Sequence, residues 1–121
     1  KYTLHQYGIF PMERALLHSR IENRQHELIA GGLLKEVQEL TEKYDLSSDH
    51  PAMKAVNYRQ ALMVINGELS EDDLFEKSLY ATRQLAKRQC TWIRGWENLQ
   101  TYDVDAFDQA TKHLKKQLNF A

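Results

Sequence analysis

Apolar residues recur at helical spacing through almost the whole chain beyond Met12, and a few breaks divide that periodicity into separate helices. Leu16, Leu17, Ile21, Leu28 and Ile29 mark the first. Gly31-Gly32 stops it, because glycine enters the left-handed backbone of a helix end without a Cβ clash. Leu33, Leu34, Val37 and Leu40 carry a second helix to about Tyr44. Leu46 to Pro51 (LSSDHP) is loop chemistry, dense in Ser, Asp and Pro. A third helix covers about Met53 to Ile65 and ends at Asn66-Gly67. Ser70, with Asp73 three residues later, gives a capping pattern that opens a long helix to about Trp92 or Trp96. Tyr102-Asp103 reads as a turn, and Ala106 to Leu118 as a last helix. The expected fold is mainly α, a helical domain of about five helices.

The first ten residues break the rule. Tyr2 to Phe10 (YTLHQYGIF) is rich in aromatic and β-branched residues and stops at Pro11, as a short strand does. One strand cannot pair its own backbone groups, and no second convincing strand follows it nearby. It is expected to borrow a sheet from a segment outside this chain, or to lie on the helices as an extended arm. The chain opens at Lys1 rather than Met and runs straight into this strand, as expected of a piece of something longer.

Composition narrows the function classes. Lys+Arg 16 against Asp+Glu 17 leaves a net charge of -1, which excludes a nucleic-acid coat that is basic throughout. A local basic stripe stays open. Hydrophobic residues at 42% suffice for a core without a metal or disulfide staple. Cys90 is alone, so it forms no internal disulfide and belongs to no C-x-x-C pair. The longest apolar-or-glycine run, Leu28 to Leu34, is far short of the ~20 residues that span a bilayer. Without a signal-peptide pattern, a reduced, cytoplasmic setting is expected, with no membrane partner.

Three groups of side chains could carry chemistry. Thr82 to Arg94 (TRQLAKRQCTWIR) holds Arg83, Lys87, Arg88 and Arg94 with no acidic residue. Arg83, Lys87 and Arg94 fall at i, i+4 and i+11, a single helical face, with Gln84 and Thr91 close to it. Base near a helix end also suits the macrodipole, so a solvated face is the plain alternative. Interleaving with Gln, Thr and Trp favours a phosphate- or RNA-contacting surface. Arg20 and Arg24 form the second group, one helical turn apart. A guanidinium fork suits phosphate oxygens, yet Glu13, Glu22 and Glu27 offer intrahelical ion pairs instead. The third group, Lys54, Tyr58, Arg59 and Gln60, follows the Ser/Asp/Pro loop near a helix N-terminus, which can hold an anion.

Other signatures fail. His26-Glu27 opens like a zinc-protease helix, but the second histidine's place is taken by Ala30. No G-x-x-x-x-G-K-[ST] or G-x-G-x-x-G loop occurs. Cys90 reads as a buried structural thiol, and Trp92 and Trp96 as core or domain-packing residues.

Three stretches together resemble one family, the tRNA dimethylallyltransferases (tRNA isopentenyltransferases). Glu13 to Arg24 (ERALLHSRIENR) resembles the segment after that family's last core strand. Pro51 to Gln60 (PAMKAVNYRQ) is similar to its Pro-containing loop and Gly-Tyr-Arg-Gln, and Thr82 to Arg94 to its C-terminal signature. Order and spacing agree from about Tyr2 to Trp96. Asn57 departs from the pattern, standing where the family has the Gly of Gly-Tyr-Arg-Gln.

The resemblance implies transfer of a dimethylallyl group from dimethylallyl diphosphate to N6 of the adenosine 3′ to the anticodon, with Mg2+ assisting the leaving diphosphate. Such chemistry needs an anion cradle, a base near the amine and a hold on an extruded adenine. The family's P-loop cradle and Asp base have no counterpart here. This chain is therefore expected to be a C-terminal helical region, inactive alone, that packs on the N-terminal catalytic core of the same protein. Residues 1–10 form its strand, 12–98 its helical family region and 99–121 a tail helix. By the same resemblance Arg24, with Arg20 beside it, faces the diphosphate. Ser48, Lys54, Tyr58, Arg59, Gln60, Thr82, Arg83, Gln84, Lys87, Arg88 and Arg94 face the tRNA anticodon arm. A stand-alone RNA-binding module and a helical interaction scaffold are the competing readings.

Overall fold

The computed structural model describes residues 1–119, so Phe120 and Ala121 of the expected tail lie outside the described residues. Five α-helices follow in order: α1 (Arg14–Ala30), α2 (Leu33–Tyr44), α3 (Tyr58–Ile65), α4 (Leu74–Gly95) and α5 (Phe107–Gln117). Two short strands, β1 (Tyr7–Phe10) and β2 (Gln100–Asp103), complete the described elements with two 310 turns at Pro51–Lys54 and Val104–Ala106. The chain divides into two compact units. One is residues 18–86; the other joins residues 1–17 to the stretch from Lys87 onward.

The 18–86 unit is built around α2 and α3. Gly32 adopts φ 95, and this left-handed residue separates α1 from α2 as the Gly31-Gly32 pair predicts. Leu33 and Val37 from α2 then meet Ala61 and Leu62 from α3, with Met53 of the first 310 turn between them in sequence. Val37 and Ala61 are fully buried. Burying each Leu, Val or Met side chain contributes about 1.5–3 kcal/mol, so this cluster is the unit's main store of stability. Asp45 closes α2 at φ 50, its N–H donating to Thr41 O.

Helix α1 meets the first half of α4 in the same unit. His26 stacks on Phe75 with ring centroids 4.2 Å apart, and Arg83 reaches Glu22 at 3.1 Å. Residue numbers rise on one helix as they fall on the other, so the two run antiparallel. Gln25 and Ser78 sit at the level between those contacts and are 1% and 0% exposed. The opening of α4 follows the capping pattern: Asp73 N–H donates to Ser70 Oγ at 3.2 Å, and the Ser70 hydroxyl to Asp73 Oδ2 at 2.7 Å.

The other unit holds the sheet. β1 pairs in parallel with β2, Tyr7 opposite Gln100 and Phe10 opposite Asp103. Tyr102 and Asp103 are thus strand residues rather than a turn, and the N-terminal strand has its partner within the chain. A parallel pair needs a long crossover, here most of the sequence, so no local signal announces it. Asp103 then accepts from Met12 N–H at 3.1 Å and from Asp105 N–H at 2.9 Å. Against β2, α5 places His113 and Gln117: the Tyr102 hydroxyl meets His113 Nδ1, Gln117 Nε2 meets His113 Nε2 at 3.1 Å, and Tyr7 donates to Gln117.

Further expectations need correction. The helix read over Met53 to Ile65 is two pieces, because Ala55 is extended and Asn57 has φ 75, which no α-helix accommodates. Trp92 and Trp96 are 76% and 52% exposed, so of the two expectations the core one fails within this chain and domain packing stays open; Trp96 Nε1 donates to Gln6 Oε1. Cys90 is half-buried. Helical spacing places such residues on a face but does not say whether that face is covered.

Candidate nucleic-acid interface

The break before α3 builds the first candidate site. The 310 turn starts at Pro51, where proline's fixed φ suits a helix start, and the His50 ring accepts from Ala52 N–H at 3.3 Å. The chain extends through Ala55, turns at Asn57 and enters α3 at Tyr58. Gln60 Oε1 accepts the Asn57 N–H at 2.8 Å, satisfying one of the donors a helix start leaves open. Tyr58 donates its hydroxyl to Glu36 on α2. That hydrogen bond, with partial burial and the carboxylate's charge, holds the Tyr58 phenol above its ordinary pKa.

This geometry brings Ser48, Lys54 and Arg59 to one cavity of about 330 Å³. Met53, Leu62 and Met63 supply its apolar lining, and Asn66 and Glu68 complete it. Two cations face one carboxylate, so the cavity favours an anion by charge. Asn66 and Glu68 were not among the sequence candidates, because Asn66-Gly67 reads only as a helix stop. Lys54 and Arg59 are exposed, whereas Tyr58 and Gln60 are half-buried with polar atoms held by Glu36 and Asn57.

The α4 candidates separate in the same way. Thr82 is half-buried and donates to Ser78 O at 2.8 Å; Arg83 is half-buried and paired with Glu22. Gln84 is half-buried, while Lys87, Arg88 and Arg94 are exposed, and Thr91 donates to Lys87 O at 2.9 Å. On α1, Arg20 and Arg24 are both exposed. Arg24 lies 3.6 Å from Glu27, the intrahelical pair that the spacing allowed. Among the described residues no three His, Cys, Asp or Glu side chains are grouped to hold a metal ion. Nor is any described helix long and apolar enough to cross a membrane.

Comparison with known proteins decides what these residues belong to. A sequence model of the IPP transferase family matches residues 1–96. This chain belongs to the IPP transferase family. Two solved structures are similar over 98% of its length: the full-length tRNA isopentenylpyrophosphate transferase from Bacillus halodurans, with 25% identity and a TM-score of 0.81, and the tRNA delta(2)-isopentenylpyrophosphate transferase from Staphylococcus epidermidis, with 28% identity and a TM-score of 0.77. The chain spans only 39% and 38% of those two proteins. Within the IPP transferase match lie the Lys54–Arg59 turn, Arg24 and the whole basic run of α4; α5 lies outside it.

Proposed function

We propose that this chain is the RNA-facing C-terminal part of a tRNA dimethylallyltransferase. The full protein moves a dimethylallyl group from dimethylallyl diphosphate to N6 of the adenosine 3′ to the anticodon. The observation that carries this reading is the convergence of Lys54 and Arg59 on one cavity within a chain of the IPP transferase family. Exposed cations beside hydroxyl and amide groups suit phosphate oxygens, and phosphate contacts set how an RNA stem sits on a protein.

In this reading Ser48, Lys54 and Arg59 hold the anticodon-arm backbone, and Thr82, Gln84, Lys87, Arg88 and Arg94 are tRNA contacts in their own right. Arg24, with Arg20 beside it, faces the leaving diphosphate. Leaving Glu27 costs Arg24 little, since so exposed a pair contributes at most about 1 kcal/mol. The transferred carbon is the substrate's own; the base, and the ligands of a Mg2+ that would help neutralise the diphosphate, belong to the catalytic core of the same cytoplasmic protein, and no described residue here is assigned to the metal. This part alone does not transfer the prenyl group.

The test uses the full-length enzyme. Lys54→Ala and Arg59→Ala raise KM for tRNA, leave KM for dimethylallyl diphosphate alone, and each lower the slope of log affinity against log salt by about 1. Arg24→Ala cuts prenyl transfer strongly. Unchanged tRNA KM and salt slope in both cavity variants overturn the RNA assignment; near-normal transfer by Arg24→Ala overturns the diphosphate one.

A further inference from the structure

Lys54 and Arg59 lie on opposite sides of the break between the 310 turn and α3, yet they line the same cavity. What brings them together is the backbone between them. Ala55 is extended at φ -60 and ψ 142, and Asn57 then reverses the path at φ 75 and ψ -49. A residue with a Cβ resists that conformation; asparagine resists less than most, and glycine not at all. Something must hold Asn57 there.

We propose that Gln60 is a positioning residue for RNA binding: by accepting the Asn57 N–H it locks the positive-φ turn that sets Lys54 and Arg59 on one cavity. Three observations carry this. The Gln60 Oε1 to Asn57 N separation is 2.8 Å, and the donor belongs to the residue whose backbone is unfavourable. Both residues are half-buried, so the hydrogen bond is not one that water replaces without cost. The frame around the turn is already fixed: Arg59 N–H donates to Ala55 O and Ala61 N–H to Asn57 O, each at 2.9 Å, and Tyr58 is tied to Glu36. With that frame fixed, the Gln60 hydrogen bond is the contact that acts on the Asn57 N–H at the turn itself. Gln60 acts on RNA through Asn57 rather than by touching it.

The inference rests on the reading of the cavity as an RNA contact, and the experiment separates the two. In the full-length enzyme, Gln60→Met keeps the side chain's length and removes the acceptor. It raises KM for tRNA about three- to tenfold, the effect of one part-buried hydrogen bond, while KM for dimethylallyl diphosphate does not move. Adding Asn57→Gly to Gln60→Met restores most of the loss, because glycine holds the turn without the lock. A side chain that touched RNA directly could not be replaced by a glycine three residues away. Asn57→Val, which leaves Gln60 intact, produces the same rise in tRNA KM, and circular dichroism checks that each variant is folded. A Gln60→Met defect that Asn57→Gly leaves in full overturns the lock. Unchanged tRNA KM in Lys54→Ala and Arg59→Ala overturns the RNA reading beneath it.

Discussion

Arg83 Nη2 donates to Glu22 Oε2 across 3.1 Å, tying α4 to α1 with side chains that are 33% and 48% exposed. The pair directs one of the most conspicuous basic residues of the α4 run toward α1. With so much water still around it, its strength is that of a surface ion pair, about 0–1 kcal/mol. A double-mutant cycle of Arg83→Ala and Glu22→Ala, read by urea unfolding, gives a favourable coupling in that range that shrinks with added salt. A coupling of opposite sign would mean that the two side chains do not meet in solution.

Asn57 holds a backbone conformation, φ 75 and ψ -49, that a side chain resists. A non-glycine residue at such a φ costs about 1–3 kcal/mol, and a β-branched residue costs most. Asn57→Gly therefore raises the urea midpoint or leaves it level, and Asn57→Val lowers stability by about 1–3 kcal/mol. The reverse order in unfolding curves would show that the residue does not hold φ 75.

Tyr58 links stability to alkaline pH. Its phenol is raised in the fold because its hydroxyl donates a hydrogen bond to the Glu36 carboxylate, so the protonated form is the one the fold favours. The contribution is whole below the unfolded phenol's pKa of about 10 and is lost as pH rises through the higher folded value. Tyr58→Phe removes it at every pH, so wild type and variant differ in melting temperature at pH 8 and converge at strongly alkaline pH. Parallel melting curves across that window would place the hydroxyl outside the contact.

Ser78 offers the opposite kind of test. It is fully buried on α4, and its Oγ has no hydrogen-bond partner among the described residues. Removing such a hydroxyl relieves a desolvation cost, and alanine is also the better helix former. Ser78→Ala is expected to stabilise the protein by roughly 1 kcal/mol in thermal or urea unfolding. A loss of stability would show the hydroxyl to be bonded.

Local rules were legible where they depend on nearest neighbours. Gly31-Gly32 ended α1, Ser70 and Asp73 formed their cap, and the helical spacing from Leu33 to Leu40 marked α2 with its buried Leu33 and Val37. The three stretches carrying the family resemblance lie within the residues the family matches. The sequence by itself therefore determined the helices, most of their ends and the family. Tertiary structure alone decided the rest. Tyr7 pairs with Gln100 because a parallel partner can be ninety residues away. Trp92 is 76% exposed in this chain, and helical spacing gives its face without saying what covers it. That Tyr58 meets Glu36, Gln60 meets Asn57 and Arg83 meets Glu22 is likewise written in no local pattern. Residue type says what a side chain can bond; only the packed chain decides which partner it meets first.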